Sequence, residues 1–402
     1  MIQADVLIVG GGMAGQTLAA ALGGVGMEVV LVDRERPADA STLAFDGRTS
    51  AIAFGAMRAV NTIGVWPRMA ADAEPILEIR VSDRESPLFL HYDHAALGSD
   101  PLGFIVENLA IRRALGAHLA KLPNVRIIAP ASVERLERGR GHTVATLEDG
   151  RTIKTPLAVA ADGRHSPTRR AAGINVAEWS YPQTGIVCTV AHEKPHRGVA
   201  HERFLPAGPL AVLPMRGDRS SIVWTERADL APAMLALDDV RFAREIENRF
   251  GPHLGTMTLE GARWSYPLAF TLADRYALPR LALLGDAARA IHPIAGQGFN
   301  LGLRDAAVLA EVVVDAARLG LDPGDMGVLE RYERWRRFDG LALAATTDLL
   351  NRLFSTAFPP VQMARDLGLA AVNGIPSLKR FFMRDAMGIA GDLPRIVRGE
   401  PL

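Results

Sequence analysis

Cysteine is almost absent from this chain of 402 residues, because Cys188 is the only one. A single thiol excludes an intrachain disulfide and any cysteine-rich metal site, and it fits a reducing compartment. The ten histidines are scattered along the chain, so we expect no metal ion. No G-x-S-x-G motif occurs either, which argues against a serine hydrolase.

Net charge is lacking as well, since Lys+Arg and Asp+Glu each number 45. A chain without a basic excess is not expected to bind nucleic acid or to be drawn to membranes by its overall charge. No apolar run reaches the roughly 18 residues of a membrane-spanning helix, because the best candidate, from Leu341, contains Asp348 and Arg352. The start, "MIQADVLIVGGG", predicts a first strand rather than a signal peptide. We therefore expect a cytoplasmic protein, at most peripheral to the inner face of a membrane.

Glycine is plentiful at the start of the chain, in "DVLIVGGGMAGQTLAAALGGVGMEVVLVDRE". An apolar run from Val6 to Val9 predicts a strand, and the Ala/Leu-rich stretch after it predicts a helix. Gly10, Gly12 and Gly15 have G-x-G-x-x-G spacing, and Asp33 follows Gly10 by 23 residues, at the end of a second apolar run. In that context the pattern predicts a dinucleotide cradle, with the acid on a ribose.

The sequence contains only one such glycine pattern. After about Gly173 the residue pattern changes to short β-type runs that are separated by Gly, Pro and charged residues. These features predict an α/β fold with a discontinuous Rossmann-like dinucleotide-binding domain, an inserted, mainly antiparallel β-sheet domain and a C-terminal helical segment. The expected boundaries are 1–70, 101–175 and 268–330 for the first domain, 71–100 and 176–267 for the second, and 331–402 for the helical region.

Two further motifs follow apolar runs. In "VAADGRHSPTRR" the run ends at Asp162 and Gly163, although a D-G pair after a strand is by itself more often a turn than a site. In "LALLGDAARAIHPIAGQGFNLGLRDA" the run ends at Asp286, and the segment from Gly296 to Asn300 opens a helix. Backbone N–H groups at such a start can approach a negatively polarised ligand closely.

The ordered set "GGGMAG", "ADGRHSPTR" and "GDAARAIHPIAGQGFNLGLRD" resembles the flavoprotein aromatic hydroxylases of the para-hydroxybenzoate hydroxylase type. The stretch "HPIAGQGFNLGLRDA" is similar to the signature of the ubiquinone-biosynthesis hydroxylase branch, and "DGRTSAIA", "VENLAIRRAL" and "YERWRR" add to the likeness. The resemblance covers essentially the whole chain.

The resemblance implies FAD, which we expect to be non-covalent, and NAD(P)H or another reductant as the electron donor. It also implies that a flavin hydroperoxide, formed with O₂, hydroxylates a polyprenylated phenol of ubiquinone biosynthesis. The flavin-ring loop would comprise Pro293, Gly296, Gln297, Gly298 and Asn300. The other residues that the resemblance places on the cofactor are Gly10, Gly12, Met13, Ala14, Gly15, Asp33, Arg34, Arg48, Arg112, Asp162, Gly163 and Asp286.

Further expectations concern surroundings and partners. Trp224, Trp264 and Tyr266 are candidates for lining the substrate cavity, although core packing is the commoner role for each, and His292 is more often a packed residue than a catalyst. Other proteins of ubiquinone biosynthesis are candidate partners. The apolar and basic C-terminal segment from about Leu341 is a candidate for peripheral membrane contact, or it simply closes the fold.

Two alternatives stay open at this stage. One is a flavin-dependent reductase or dehydrogenase that acts on an isoprenoid or quinone on the same fold. The other is a flavin-stabilised scaffold of a membrane-associated biosynthetic complex. A halogenase is disfavoured because no W-x-W-x-I-P stretch occurs.

Overall fold

A computed structural model describes residues 1–35, 47–83, 86, 89–290, 297–337, 339–340, 368 and 371–402. Within them the strands are β1 (Ile2–Gln3), β2 (Val6–Val9), β3 (Val29–Val32), β4 (Thr49–Ala53), β5 (Glu74–Ile76), β6 (Glu78–Asp83), β7 (Phe89–Asp93), β8 (Gly103–Glu107), β9 (Val125–Ile128), β10 (Val133–Arg138), β11 (Thr143–Leu147), β12 (Thr152–Thr155), β13 (Leu157–Ala160), β14 (Val176–His192), β15 (Val199–Leu205), β16 (Gly208–Met215), β17 (Arg219–Arg227), β18 (Met257–Ala273), β19 (Ala277–Leu278), β20 (Leu281–Leu283) and β21 (Arg289–Ala290).

The helices alternate with these strands in the first half of the chain and follow them at the end. They are α1 (Met13–Gly24), α2 (Phe54–Thr62), α3 (Asn108–Leu119), α4 (Pro167–Ala171), α5 (Ala231–Leu235), α6 (Asp239–Phe250) and α7 (Gln297–Arg318), then residues 326–337, Pro376–Ala386 and Arg395–Arg398.

The nucleotide-binding half is built on a six-stranded sheet with the order β19-β20-β13-β2-β3-β9. Strands β20, β13, β2, β3 and β9 run parallel, and every residue of β2, β3, β13 and β20 is buried. Continuous apolar runs form such strands because helices cover both faces of a parallel sheet. The strand, helix and strand predicted for the first 33 residues are confirmed.

The second half is an eight-stranded sheet with the order β21-β18-β14-β17-β16-β15-β6-β7. Its long central strands β14 and β18 pair antiparallel over most of their length. One face packs against α6, where Ile186, Cys188, Trp224, Phe242 and Ile246 form a separate core. The predicted mainly antiparallel sheet is therefore present, and the boundaries assigned to the domains stay predictions.

Polar contacts join the other face of this sheet to the nucleotide-binding half. The Thr49 hydroxyl, at the start of β4, donates to Ser221 Oγ on β17 at 2.8 Å. Beside it, Thr189 Oγ1 on β14 donates to the Gly47 carbonyl at 3.5 Å. Since Thr189 and Ser221 are directly paired in the sheet, both point from the same face. That face is therefore the one that confronts β4.

Helix α7 packs within the nucleotide-binding half. Its residues pack on α1, and a Cβ on Gly302 would lie 3.3 Å from the Ala14 Cβ, so glycine allows the close approach. None of the described helices is both long enough and apolar enough to cross a lipid bilayer.

Candidate functional site

The first glycine turn lies between β2 and α1. A Cβ on Gly10 would overlap the Ala161 carbonyl, and one on Gly15 would overlap the Gly10 carbonyl oxygen, so both positions require glycine. A Cβ on Gly12 would meet nothing within 4 Å. Gly12 caps the helix, and no side chain accepts from the free N–H groups of the first turn. The turn therefore offers open space in front of unpaired N–H donors, which is what a pyrophosphate needs.

Asp33 stands beside this turn at the end of β3. Its carboxylate accepts from the N–H of Gly11 and, at 2.7 Å, from the N–H of Glu35. Those two bonds fix its orientation and leave further acceptor capacity on each oxygen for sugar hydroxyls. Its neighbour Arg34 is exposed.

The D-G motif follows β13, the strand adjacent to β2. Asp162 accepts from the Ser166 hydroxyl and, at 3.0 Å, from the N–H of Thr168. Its carboxylate thus holds the loop that starts α4. Gly163 has φ +84, and a Cβ there would point into open space. The contribution of this motif to a ligand would therefore come from the loop backbone more readily than from the carboxylate.

Arg169 was not singled out as a cofactor residue from sequence, yet it connects two motifs. Its side chain is buried, and its guanidinium donates to the Ala287 carbonyl at 2.8 Å and to the Arg164 carbonyl at 3.0 Å. Burial lowers the pKa of Arg169. This residue fixes the D-G loop against the turn that carries Asp286.

Asp286 lies in a short 3₁₀ turn directly after β20. Its side chain is accessible to solvent, although protein surrounds it closely enough that burial raises the pKa of the carboxyl, against the opposing charges of Arg289 and Arg164. Because β2, β13 and β20 are parallel neighbours, Asp286 lies at their carboxyl ends, the usual ligand site of such sheets.

A buried ionic cluster supports the turn. Asp305 on α7 accepts from the Gly285 N–H at 3.2 Å, from Arg289 at 2.8 Å and from Arg336 at 2.7 Å. Asp305, Arg289 and Arg336 are all buried. The cluster is thus one bond away from the residue before Asp286, and no sequence spacing pointed to it.

The flavin-ring loop is only partly within the described residues, since Pro293 and Gly296, like His292, lie outside them. Gln297 begins α7, and a Cβ on Gly298 would meet nothing within 4 Å. The Asn300 side chain accepts from the Ala53 N–H at 2.9 Å and donates to the Ala51 carbonyl at 2.8 Å. Its amide therefore fastens the start of α7 to β4.

The two predicted arginines flank that strand. The Arg48 guanidinium lies 5.3 Å from the centroid of the Trp264 ring, within cation–π range. The Arg48 carbonyl accepts from the N–H of Asn108, the first residue of α3, at 2.9 Å. Arg112 lies one turn further along α3 and is exposed. Both are therefore near the same edge of the site.

The three aromatic candidates separate into two groups. Trp224 is buried in the core against α6, so core packing is right for it. Trp264 and Tyr266 keep 41% and 38% of their surface accessible, on the sheet face that confronts β4. The expectation that Trp264 and Tyr266 pack in the core is therefore wrong.

The sequence contains one H-E-x-x-H pattern, at His192–His196, so the expectation of no metal ion has to be checked against its structure. In metalloproteases this pattern lies on a helix, which puts both imidazoles on one face. Here β14 ends at His192, and that ring contacts the Lys194 carbonyl at 2.8 Å and Ser220 Oγ at 3.0 Å. His196 contacts the Met215 carbonyl at 2.7 Å and the Gly198 N–H at 3.0 Å. All four ring nitrogens are thus engaged by protein.

A protein-family model described as an FAD binding domain matches residues 3–339. The chain belongs to this family. It is 52% identical to ubiquinone hydroxylase UbiL of Rhodospirillum rubrum, over 99% of this chain and 94% of that protein. It is 33% identical to the 3-demethoxyubiquinol 3-hydroxylase of Escherichia coli, over 96% and 98% of the two chains. It is also 30% identical to human mitochondrial ubiquinone biosynthesis monooxygenase COQ6, over 94% and 91%. The protein is an FAD-dependent monooxygenase.

Solved structures of low identity share the fold. The p-nitrophenol 4-monooxygenase PnpA from Pseudomonas putida superimposes with a TM-score of 0.80 at 21% identity, over 97% of this chain and 99% of that one. PqsL of P. aeruginosa gives 0.77 at 22% identity, over 93% and 100%. The predicted fold class is confirmed.

The residues present fit FAD. Open space faces Gly12 and Gly298, and the accessible Asp286 lies between the two glycine turns. The individual contacts assigned to the cofactor stay predictions.

Proposed function

We propose that this monooxygenase hydroxylates the aromatic ring of a polyprenylated phenol in ubiquinone biosynthesis, with NAD(P)H as electron donor. The observation that carries the proposal is the meeting of three glycine-containing turns at one end of the parallel sheet, opposite an aromatic sheet face. The names of the relatives support the substrate class.

Gly12 and the start of α1 would hold the cofactor's phosphates, and Asp33 would hold its adenosine ribose. Asp286 would bind the ribityl chain, and the start of α7 at Gly298 would hold the ring. Main-chain donors there would face the ring edge on which negative charge develops during reduction, which is fixed electrostatic stabilisation. The one thiol, Cys188, is buried, and burial raises its pKa to about 12, so a bond from cysteine to the flavin is disfavoured. We expect a non-covalent flavin that acid releases.

The overall reaction balances as one ring C–H, O₂, NAD(P)H and a proton giving one ring C–OH, water and NAD(P)⁺. Bound FAD supplies the route by which two electrons from NAD(P)H activate O₂. The protein's part is to hold the ring and the phenol together and to exclude water from the space between them. With one dinucleotide cradle in the described residues, NAD(P)H binds transiently rather than in a second Rossmann domain.

The C-terminal helix Pro376–Ala386 gives this lipid-soluble substrate a route from the membrane. Its Phe381 and Phe382 keep 59% and 39% of their surface accessible, beside the basic Arg380 and Arg384. Exposed aromatic side chains next to cations favour a peripheral contact with anionic lipid. The opposite face of this helix packs with Met383 in a cluster that also contains Ala51 of β4, so the contact is close to the site.

The substrate is tested by mass spectrometry of quinone intermediates in a strain that lacks the gene. Accumulation of a prenylphenol that lacks one hydroxyl supports the proposal and identifies the ring position. A strain with a normal quinone profile would refute it.

The electron donor is tested separately, by the stoichiometry of NADH or NADPH oxidation to product. Membrane contact is tested by flotation with anionic liposomes. Phe381→Ser with Phe382→Ser is compared with Leu321→Ser, which alters an exposed leucine elsewhere. Flotation that the double change leaves intact would count against the helix.

A further inference from the structure

Tyr266 lies flat on a glycine in the middle of the long antiparallel sheet. It pairs with Gly185 across β18 and β14. A Cβ on Gly185 would be 3.0 Å from the Cε2 and Cζ atoms of the Tyr266 ring, which is tighter than most Cβ contacts, so the ring would have to shift. Glycine at this position therefore allows the ring to rest on the sheet and fixes the direction of its hydroxyl.

The Tyr266 ring combines accessibility with dense surroundings. Water reaches 38% of the side chain, yet burial in the surrounding protein raises the pKa of its hydroxyl. Asp286 shows the same combination at the far side of the site. Among the described residues no donor or acceptor engages the Tyr266 hydroxyl. An accessible, enclosed hydroxyl that no described residue engages is placed to bind a ligand.

The neighbours of Tyr266 show on which face of the sheet its side chain lies. Trp264, two residues earlier and about 7 Å along the strand, lies on the same face and carries the Arg48 guanidinium on its ring. That face also carries Thr189, which bonds to Gly47 just before β4. In the other direction β18 continues to Leu272, which pairs with Arg289 just before the glycine-rich loop. Tyr266 thus lies between the two segments that flank the flavin ring.

We propose that Tyr266 determines the orientation of the aromatic substrate, by a hydrogen bond from its hydroxyl to an oxygen on the substrate ring. This inference rests on the proposed function and names one residue of its substrate site. A phenol with a long prenyl chain can turn about the axis of that chain, and each orientation presents a different ring carbon for hydroxylation. A fixed polar contact on one side of the ring selects one orientation, so Tyr266 acts on regiochemistry rather than on the chemical step.

The test uses the FAD-loaded enzyme with a short-chain prenylphenol. Tyr266→Phe removes only the oxygen atom, and Tyr92→Phe removes the same atom from a buried tyrosine on β7 as a matched control. Three quantities are measured: the dissociation constants of FAD and of the phenol, the isomers of the product, and the ratio of product to NAD(P)H oxidised. Gly185→Ala displaces the ring without changing the tyrosine.

For Tyr266→Phe we expect unchanged thermal stability and FAD affinity, and a phenol affinity that is weaker by about two- to tenfold, as for one neutral hydrogen bond. We also expect a second hydroxylated isomer or a lower product ratio. Gly185→Ala should likewise weaken phenol binding and alter the product isomers or the product ratio. Tyr92→Phe should change neither the phenol affinity nor the products.

Three results would overturn the inference. Tyr266→Phe with wild-type phenol affinity, product isomer and product ratio shows that the hydroxyl has no such role. Weaker FAD binding with normal phenol binding assigns Tyr266 to the cofactor instead. Wild-type enzyme that converts no prenylphenol overturns the proposed function and this inference together, whereas the first two results leave the proposed function standing.

Discussion

The Arg169 guanidinium donates to the main-chain carbonyl of Ala287 at 2.8 Å and so joins the D-G loop to the turn of Asp286. Arg169→Leu leaves the buried carbonyl oxygen of Ala287 and the partly buried one of Arg164 without their charged donor, and a hydrogen bond to a charged group contributes about 1.5–3 kcal/mol. We expect FAD affinity to fall at least about tenfold and the melting temperature to drop. Flavin fluorescence titration and calorimetry measure these effects. Arg170→Leu, at an exposed neighbour, is the control, and equal effects in both variants would refute the link.

The glycines of the first turn should separate folding from cofactor binding. Gly12→Ala projects a methyl group into open space where the pyrophosphate is expected, so the apoprotein should fold normally and bind FAD poorly. Gly15→Ala forces the new Cβ onto the Gly10 carbonyl, so the apoprotein itself should be destabilised. Circular dichroism melting of both apoproteins, followed by FAD titration, makes the comparison. Normal FAD affinity in Gly12→Ala would contradict the placement of the phosphates.

Asp286→Asn should stabilise the apoprotein while weakening FAD binding. Because burial raises the pKa of Asp286 above 3.8, the folded state binds more protons than the unfolded state above that pH, and stability falls as the pH rises through the raised value. Asparagine does not ionise, so the variant keeps the stability that the wild type loses. We therefore expect a higher apoprotein melting temperature than wild type at pH 7, with a difference that narrows towards pH 4. FAD affinity should fall about tenfold or more, because a charged acceptor is lost. Unchanged FAD affinity would remove Asp286 from the site.

His201 should give the fold a dependence on acid that is unrelated to catalysis. Burial, then the charges of Arg80 and His253, lower the pKa of His201 to about 4, against 6.5 in the unfolded chain. The unfolded state therefore binds more protons between those values, so stability is complete above about pH 6.5 and is lost as the pH falls towards 4. The free energy of unfolding falls by at most about 3 kcal/mol, and by less to the extent that water reaches the ring and screens its charge.

His201→Phe keeps an aromatic ring near Phe250, whose ring centroid lies 5.0 Å from that of His201, but it does not titrate. Urea unfolding at several pH values should show a flatter stability curve for this variant between pH 4 and 6.5. A change at the exposed His142, to glutamine, should keep the wild-type slope. Parallel curves for wild type and His201→Phe would mean that the imidazole does not titrate as described.

Short sequence patterns predicted the elements that depend only on neighbouring residues. The runs at Val6–Val9 and Leu157–Ala160 are buried on both faces of a parallel sheet, so their continuous apolar character was sufficient to predict two strands. The glycine spacing at Gly10–Gly15 was also sufficient, because two of its glycines exclude any side chain.

Contacts between distant segments could not be predicted in this way. Arg169 meets Ala287 across 118 positions, and Asn300 meets Ala53 across 247. The Asn300 side chain fastens α7 to β4, and the Asp162 carboxylate holds its own loop. Sequence showed neither contact, and the assignment of both residues to the cofactor stays a prediction. The H-E-x-x-H letters at His192–His196 illustrate the opposite limit, since a strand end and a turn replace the helix that the pattern requires.

Oxygen insertion is tested by the fate of O₂ when the enzyme turns over a prenylphenol with NAD(P)H and ¹⁸O₂. We expect one ¹⁸O atom in each hydroxylated product and no product when O₂ is absent. Gly298→Val, which intrudes on the expected ring position, should release hydrogen peroxide at the expense of product. Unlabelled product, or turnover of the phenol under anaerobic conditions, would show instead that the protein is a reductase or dehydrogenase and that it inserts no oxygen.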